Sequence, residues 1–434
     1  MRILQITHGF PPESVGGVEQ HVDGLSTALA AAGHDVHVYA RTSASDLPQG
    51  SFRLERSGNP TVTRVAYRWE GVDSLAAMYR CTPMADSLRK FLAAERESGR
   101  GFDVAHVHHL TGMSTDSLDA LREAGIASVL TLHDYWLMCP RGQMWHRREE
   151  VCEQVEPNRC GECLSLTFPH WLPRDTAAQQ ARELHDMAKR TIAGADRLVI
   201  PSARAIPPFA ALGVDPARIT VVENGVDTEA LENLPLPSCG PGPLRIGYLG
   251  TVMPSKGLHV LLDAVLRQNT GAVELHIYGN SVPYHGDETY LTRCFFKLQP
   301  QARVHYHGPY TTSRLPEILA DLDVVCAPAL WHEAFGLTVR EALAAGRPIL
   351  VSRVGGLQDA VTDGVEGRVL PPGDVGAWTD AIRRMADDRG AVRAMSSRTR
   401  SRARGFAAMA RELVTVYGEA KDLPRTTAAA PGRA

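Results

Sequence analysis

The 434-residue sequence lacks the marks of several protein classes. No apolar run approaches the ~18 residues needed to cross a bilayer as a helix, which argues against a membrane span. Eight cysteines in so long a chain are too few for the disulfide framework of a small secreted fold. Basic charge is not in excess either: 46 lysines and arginines against 49 acids leave a formal net charge of −3, which argues against a protein that coats nucleic acid. The apolar part of residues 1–8 is too short for a secretory signal and reads as a first buried strand, so a cytoplasmic protein is expected. What remains is an ordinary soluble composition, 44% hydrophobic and 22% charged, in a chain long enough for two domains of about 200 residues each.

The pattern begins as a strand, a loop and an amphipathic helix over 18–32 closed by Gly33, then a strand over 35–40, a β-α-β opening. Gly16 and Gly17 at the helix entrance let a backbone approach a phosphate or a sugar, though paired glycines before a helix are common. Strands are expected over 61–66, 104–107 and 128–132, the last two ending in histidine-bearing turns. There His106 and His109 read as locally hydrogen-bonded, whereas His133 reads as functional because Asp134 adjoins it and Tyr135-Trp136 follow. A helix over 176–193 and strands over 197–201 and 219–222 come next, the last ending in Glu223-Asn-Gly-Val-Asp227. The proline- and glycine-dense stretch 234–243 is the clearest linker, dividing the chain into a domain over 1–233 and another over 244–405. A helix over 406–422 follows, and from 423 onward the tail reads as disordered.

The second half repeats the β-α order. A strand over 244–249 leads into Gly250-Thr-Val-Met-Pro-Ser-Lys256-Gly257 and a helix over 258–268, where Lys256 either meets a phosphate as a point charge or is simply exposed. Further on, Glu333-Ala-Phe-Gly-Leu-Thr-Val-Arg-Glu341 spans a strand-to-helix turn, with the helix expected over 337–345 and a further helix after Gly355-Gly356. Glu341 falls one turn into that helix and Glu333 in the loop before it, so both carboxylates should face the crevice at the strand ends where ligands of open parallel sheets bind. Unpaired N–H groups at the helix start suit a diphosphate, and two carboxylates suit a polyhydroxylated ligand. Taken singly, each acid also fits a plainer place, Glu333 exposed in a loop and Glu341 beside the positive end of the helix dipole.

Two further stretches stand out. Cys139, Cys152, Cys160 and Cys163 lie in a segment of weak periodicity that lacks a core of its own. Four thiolates with one C-x2-C pair fit a tetrahedral structural zinc, and the same spacing is open to reduced thiols, a disulfide or an iron–sulfur cluster. The arginines from Arg383 to Arg404 make the carboxyl end basic, as a solvated helix face or as a peripheral contact with the anionic inner face of a membrane.

The paired glutamates, the 250–257 turn, Val354-Gly-Gly356 with Asp363-Gly364, and Asn224-Gly-Val-Asp227 together resemble the retaining glycosyltransferases of family four, over 1 to about 413. The resemblance implies an α/β chain of GT-B fold, two Rossmann-like domains facing each other across a cleft, with carboxyl-terminal helices crossing back to the first. It implies a nucleotide-diphosphate sugar donor, a hydroxyl acceptor (a glycan, a lipid-linked sugar or a secondary metabolite) and no cofactor for the chemistry. Glu333 would bind donor-sugar hydroxyls and Glu341 the ribose. Phe335, Gly336 and Leu337 would present N–H groups near the sugar, while Gly17, Gly250 and Lys256 would lie along the diphosphate and His133 beside the reacting sugar. Thr251 departs from the family, in which arginine often follows the glycine equivalent to Gly250 and clamps the diphosphate. The cysteine-rich insertion, after a His-Asp-Tyr-Trp segment, resembles one branch only. A nucleotide-sugar epimerase, a glycan phosphorylase with a pyridoxal-phosphate lysine, and an inactive sugar-nucleotide-binding protein share the architecture.

Overall fold

A computed structural model describes residues 1–237, 240–268, 271–283, 287–298 and 303–424. Residues 238–239 of the expected linker and the tail from 425 onward lie outside the described residues. The chain divides into two compact units, one of Met1–Gly142, Gln154–Gly225 and Phe406–Ala434, the other of Gln143–Glu153 and Val226–Gly405.

The first unit is built on strands β1 (Arg2–Thr7), β2 (Asp35–Thr42), β3 (Phe52–Arg56), β4 (Thr61–Ala66), β5 (Val104–Val107), β6 (Ala127–Thr131), β7 (Arg197–Ile200) and β8 (Ile219–Val221). They form one sheet in the order β3-β4-β2-β1-β5-β6-β7-β8, parallel throughout except that β3 runs antiparallel to β4. Such strands, covered on both faces, read as continuous apolar runs. Ile3, Val36, Val104 and Val129 pack against the helix Gly17–Ala31 and, from the far end of the chain, against Met409, Leu413, Val416 and Tyr417 of the helix Phe406–Lys421. The carboxyl-terminal helix therefore belongs to the first unit. Gly24 marks that contact, since a Cβ there would stand 2.3 Å from the Phe406 ring.

The second unit carries β9 (Leu244–Leu249), β10 (Val273–Tyr278), β11 (Val304–Gly308), β12 (Val324–Ala327), β13 (Ile349–Ser352) and β14 (Gly367–Leu370) in a fully parallel sheet ordered β11-β10-β9-β12-β13-β14. Leu244, Ile246, Leu275, Ile277, Leu350 and Trp378 are among its buried core. At the linker, Arg347 donates to the Pro235 carbonyl at 2.6 Å and Arg400 to that of Leu234. Arg389 pairs with the buried Asp323 at 2.8 Å and Arg402 donates to the Asp359 carbonyl, so part of the basic carboxyl end is spent inside this unit. No helix among the described residues is long and apolar enough to cross a membrane.

Two local expectations change. The cysteine segment is not wholly irregular, since residues Pro157–Thr167 form a helix that Glu156 caps by accepting from Asn158 and Arg159 N–H. Its weak periodicity has a packing cause. Gly161 lies so close to the helix Ala177–Ala193 that a Cβ would stand 2.6 Å from the Ala178 nitrogen, so a glycine does work that pattern reading assigns to apolar side chains. After Gly355-Gly356, the chain makes only a six-residue 3-10 turn, Gly355–Ala360, because those glycines are held by the loop carrying Glu333.

Candidate functional site

In the second sheet, β9 is flanked by β10 on one side and β12 on the other, so connections leave in opposite directions from β9 and β12, the switch point at which parallel sheets bind ligands. The loop after β9 carries Gly250, Thr251 and Lys256; the loop after β12 carries Glu333. Two glycines make these loops fit. Gly257, at φ +70°, would place a Cβ 2.0 Å from the Pro328 carbonyl oxygen, and Gly279 one 1.9 Å from that of Gly250. Only glycine allows either approach. At Gly250 itself the Cβ position has no protein atom within 4 Å, while its N–H donates to the Tyr278 carbonyl at 2.9 Å. Thr251 follows, its carbonyl accepting from the Tyr248 hydroxyl at 2.8 Å.

The approach of the two loops joins residues 77 apart: the Lys256 ammonium donates to Glu333 Oε2, with both side chains largely sheltered. The ammonium also lies 5.2 Å from the centre of the Trp331 ring. Sequence reasoning assigned these two residues separately, to a phosphate and to a sugar. The structure makes them one preformed ion pair.

The glutamate loop is clamped from three directions. Gly356 N–H donates to the Glu333 carbonyl at 2.7 Å, and Gly355, at φ +44°, lies where a Cβ would meet that carbonyl at 2.1 Å. Arg340, 5% exposed, donates to the carbonyls of Phe335 and, at 2.9 Å, Gly356, and its guanidinium sits 4.0 Å over the Phe335 ring. Arg340 is a positioning residue that the sequence reading missed, and a basic side chain just ahead of Glu341 was its only signal. Gly336, at φ +82°, caps the helix Leu337–Ala344 without a side-chain acceptor, and of the first turn its carbonyl accepts from Val339 N–H at 3.2 Å. Glu341 lies one turn along. Burial, then the nearby Asp227 carboxylate, pushes its carboxyl up to about 7. Asp227 caps the turn Thr228–Leu231 by accepting from Ala230 N–H, which places the end of the Asn224-to-Asp227 motif beside Glu341.

The first unit gathers histidines where β1, β5 and β6 end. His106 is fully buried between the Tyr417 hydroxyl at 2.7 Å and the Thr131 hydroxyl at 2.6 Å, the local bonding expected of it. His109 pairs with Asp134 at 3.3 Å, and Asp134 also accepts from Trp136 N–H. Asp134 thus serves His109, not its neighbour His133. His133 instead lies 3.2 Å from His108, whose other ring nitrogen meets the Gln5 side-chain oxygen at 2.5 Å. Burial, with neighbouring imidazoles, holds His133 well below the usual histidine range, so it is neutral. The ring nitrogens of His21, His108 and His133 lie within 4.8 Å of one another, close enough to share a metal ion. His133, Asp134, His109 and Trp136 line a small cavity. Gly17 opens the helix Gly17–Ala31 behind Gly16, whose Cβ position lies 2.6 Å from Glu19 Oε2, so that helix start already has a carboxylate of its own chain close by.

Of the four clustered cysteines, Cys139 lies in the turn bonded back to the Tyr135 carbonyl, and Cys152 N–H donates to the Met144 carbonyl beside the Trp145–Val151 bridge. Cys160 and Cys163 are three apart on the helix Pro157–Thr167.

Residues 15–230 match the family described as Glycosyltransferase Family 4, and residues 243–388 the one described as Glycosyl transferases group 1. Glycogen synthase of Mycobacterium tuberculosis is 27% identical over 408 residues, covering 93% of this chain and 90% of that protein. D-inositol 3-phosphate glycosyltransferase of Salinispora tropica is 28% identical over 446 residues, covering 95% and 82%. Among solved structures, sucrose-phosphate synthase from Thermosynechococcus elongatus superposes with a TM-score of 0.68 at 19% identity, covering 96% of this chain and 99% of that one. Anabaena HepE in complex with UDP-glucose does so with 0.65 at 16%, covering 96% and 100%. Two parallel-sheet α/β domains, each matched to a glycosyltransferase family, make this chain a glycosyltransferase of the GT-B fold.

Proposed function

We propose that the chain moves a sugar from a nucleotide-diphosphate sugar to an acceptor hydroxyl with retention of configuration. The observation that carries this reading is the Lys256–Glu333 pair at the switch point of the second sheet, beside the helix start that Gly336 caps. A cation and a helix start match a diphosphate, and a carboxylate matches a sugar hydroxyl. Names borne by similar proteins point the same way, with UDP-glucose bound in one neighbour and ADP in a starch synthase.

The chemistry is electrostatic. As the bond from the anomeric carbon to the diphosphate oxygen breaks, charge grows on phosphate oxygens, and Lys256, the loop N–H groups and the helix start stabilise it without a bound cation. The acceptor oxygen bonds the anomeric carbon from the side the diphosphate leaves, and its proton passes to a diphosphate oxygen. Glu333 steadies the sugar, Glu341 holds the ribose, and His133, as a neutral imidazole, suits a hydroxyl rather than an anion. Thr251 contributes a hydroxyl and backbone where a clamping arginine is common.

A thermal-shift panel of nucleotide sugars tests this, because a ligand of the native state raises stability as ln(1 + [L]/Kd). UDP- or ADP-sugars should raise Tm, and the anomeric proton of the product should show the donor's configuration. Thr251→Arg should tighten donor binding by about tenfold through one added charge-assisted contact. No shift with any donor, in both wild type and Thr251→Arg, counts against the assignment.

A structural zinc on Cys139, Cys152, Cys160 and Cys163 belongs to the same reading. Cys160 and Cys163, on one helix face, fit half of such a set, and the ion would fix a loop segment by bonding. Metal analysis of untagged protein should find zinc near one equivalent, and less than about a tenth of an equivalent would rule it out.

A further inference from the structure

A second cluster of metal-ligating side chains lies on the far side of the second unit's core. Along β10, Val273, Leu275 and Ile277 point into that core, so Glu274 and His276 stand on the opposite face of the sheet. The neighbouring strand β11 is the edge of the sheet, and its residue in register with His276 is His305. Strand alternation then puts His307 on the same face. Three imidazoles and a carboxylate therefore share two adjacent strands on a face that, in a purely structural role, needs only solvated side chains.

We propose that Glu274, His276 and His305 bind a divalent transition-metal ion of the zinc class. One oxygen or nitrogen of each lies within 4.8 Å of the others. Glu274 Oε1 is 2.8 Å from His305 Nε2, while Oε2 stands 3.8 Å from His276 Nε2, too far for a hydrogen bond. That His276 nitrogen is buried and has no hydrogen-bond partner, a cost that a metal ion would remove. His307 supplies the outer support, its Nε2 lying 3.1 Å from His276 Nδ1, which leaves Nε2 directed at the carboxylate. Stacking holds the array: His276 lies 5.0 Å from His305 and 5.3 Å from His307, centre to centre, and Tyr278 backs His307 at 4.3 Å.

Two imidazoles and one carboxylate are a borderline donor set that suits zinc, with ligand bonds of about 2.0–2.2 Å and a fourth position left for water or another ligand. His305, whose side chain is 46% exposed, can make the remaining adjustment by rotation. An ion there would tie the edge strand to its neighbour, and the site uses no residue assigned to the donor, so it stands apart from the proposed transfer reaction.

The test is zinc titration into untagged full-length protein that already carries its as-purified metal, followed by calorimetry and thermal shift. Wild type should take up an equivalent that His305→Ala and Glu274→Gln lose, together with the zinc-induced rise in Tm. His307→Ala should keep the equivalent with about tenfold weaker affinity, as loss of an outer-shell partner does. All three variants should retain the nucleotide-induced Tm shift of wild type, which shows that they are folded. An equivalent that persists at wild-type affinity in either His305→Ala or Glu274→Gln overturns the proposal. So does a zinc isotherm unchanged across the series.

Discussion

Glu333→Ala lowers kcat by at least about 10²-fold, the scale of losing one well-placed group that acts in the transition state. The geometry adds a sharper expectation. Glu333 holds the Lys256 ammonium, so removing the carboxylate frees that cation for phosphate oxygens. Donor binding should therefore stay the same or tighten while turnover collapses, a fall in kcat with no rise in KM. Lys256→Ala should differ, losing both donor affinity and rate and leaving a sheltered carboxylate without its counter-charge. Glu333→Gln, which keeps an acceptor for a sugar hydroxyl, should fall between wild type and alanine. Steady-state kinetics with circular dichroism to confirm folding decides the matter. A Glu333→Ala enzyme within about threefold of wild-type kcat removes Glu333 from the reaction.

Glu341→Gln makes the protein more stable and a poorer binder. The folded-state carboxyl is pushed up to about 7 by burial and by Asp227, above its ordinary value of 4.5. Between those two values the folded state binds more protons than the unfolded chain. Stability therefore falls as pH rises from about 4.5 to about 7, and the loss is complete above the folded value. It amounts to roughly 3–4 kcal/mol, from about 1.4 kcal/mol per unit. Glutamine carries no such charge, so the variant should lose this decline and unfold at higher denaturant than wild type at pH 8, while matching it near pH 4.5. Donor affinity should fall about tenfold or more, the scale of charge-assisted bonds to ribose hydroxyls. Equal stability of the two proteins at pH 8 would show that Glu341 is not held under strain. Such a cost, together with weaker donor binding, would be a trade of stability for function.

Much of the architecture was open to reading from local pattern. Short apolar runs ended by glycine and followed by helical spacing marked the β-α repeats, because strand and helix periods and turn chemistry act over a few residues, whereas the change of unit falls at Gly225–Val226, ahead of the proline-rich stretch 234–243. The spacing of Glu333 and Glu341 was legible for the same reason: one loop and one helical turn separate them. Harder to see were β3, whose exposed pattern carries little apolar signal, and the helix Pro157–Thr167, whose close contact is made by Gly161.

By itself, then, the sequence determined the succession of elements and the types of side chain delivered to the ends of β9 and β12. Only the tertiary structure decided how those side chains are charged and paired. Lys256 meets Glu333 because Gly257 lets one loop touch the Pro328 carbonyl of the other, and Asp227 reaches Glu341 across more than a hundred residues. Arg340 closes its clamp through carbonyls on two different loops, and His133 loses Asp134 to His109. Apart from the Arg340–Phe335 bond, each joins segments separated in sequence, and its strength depends on burial and distance, which no local spacing encodes.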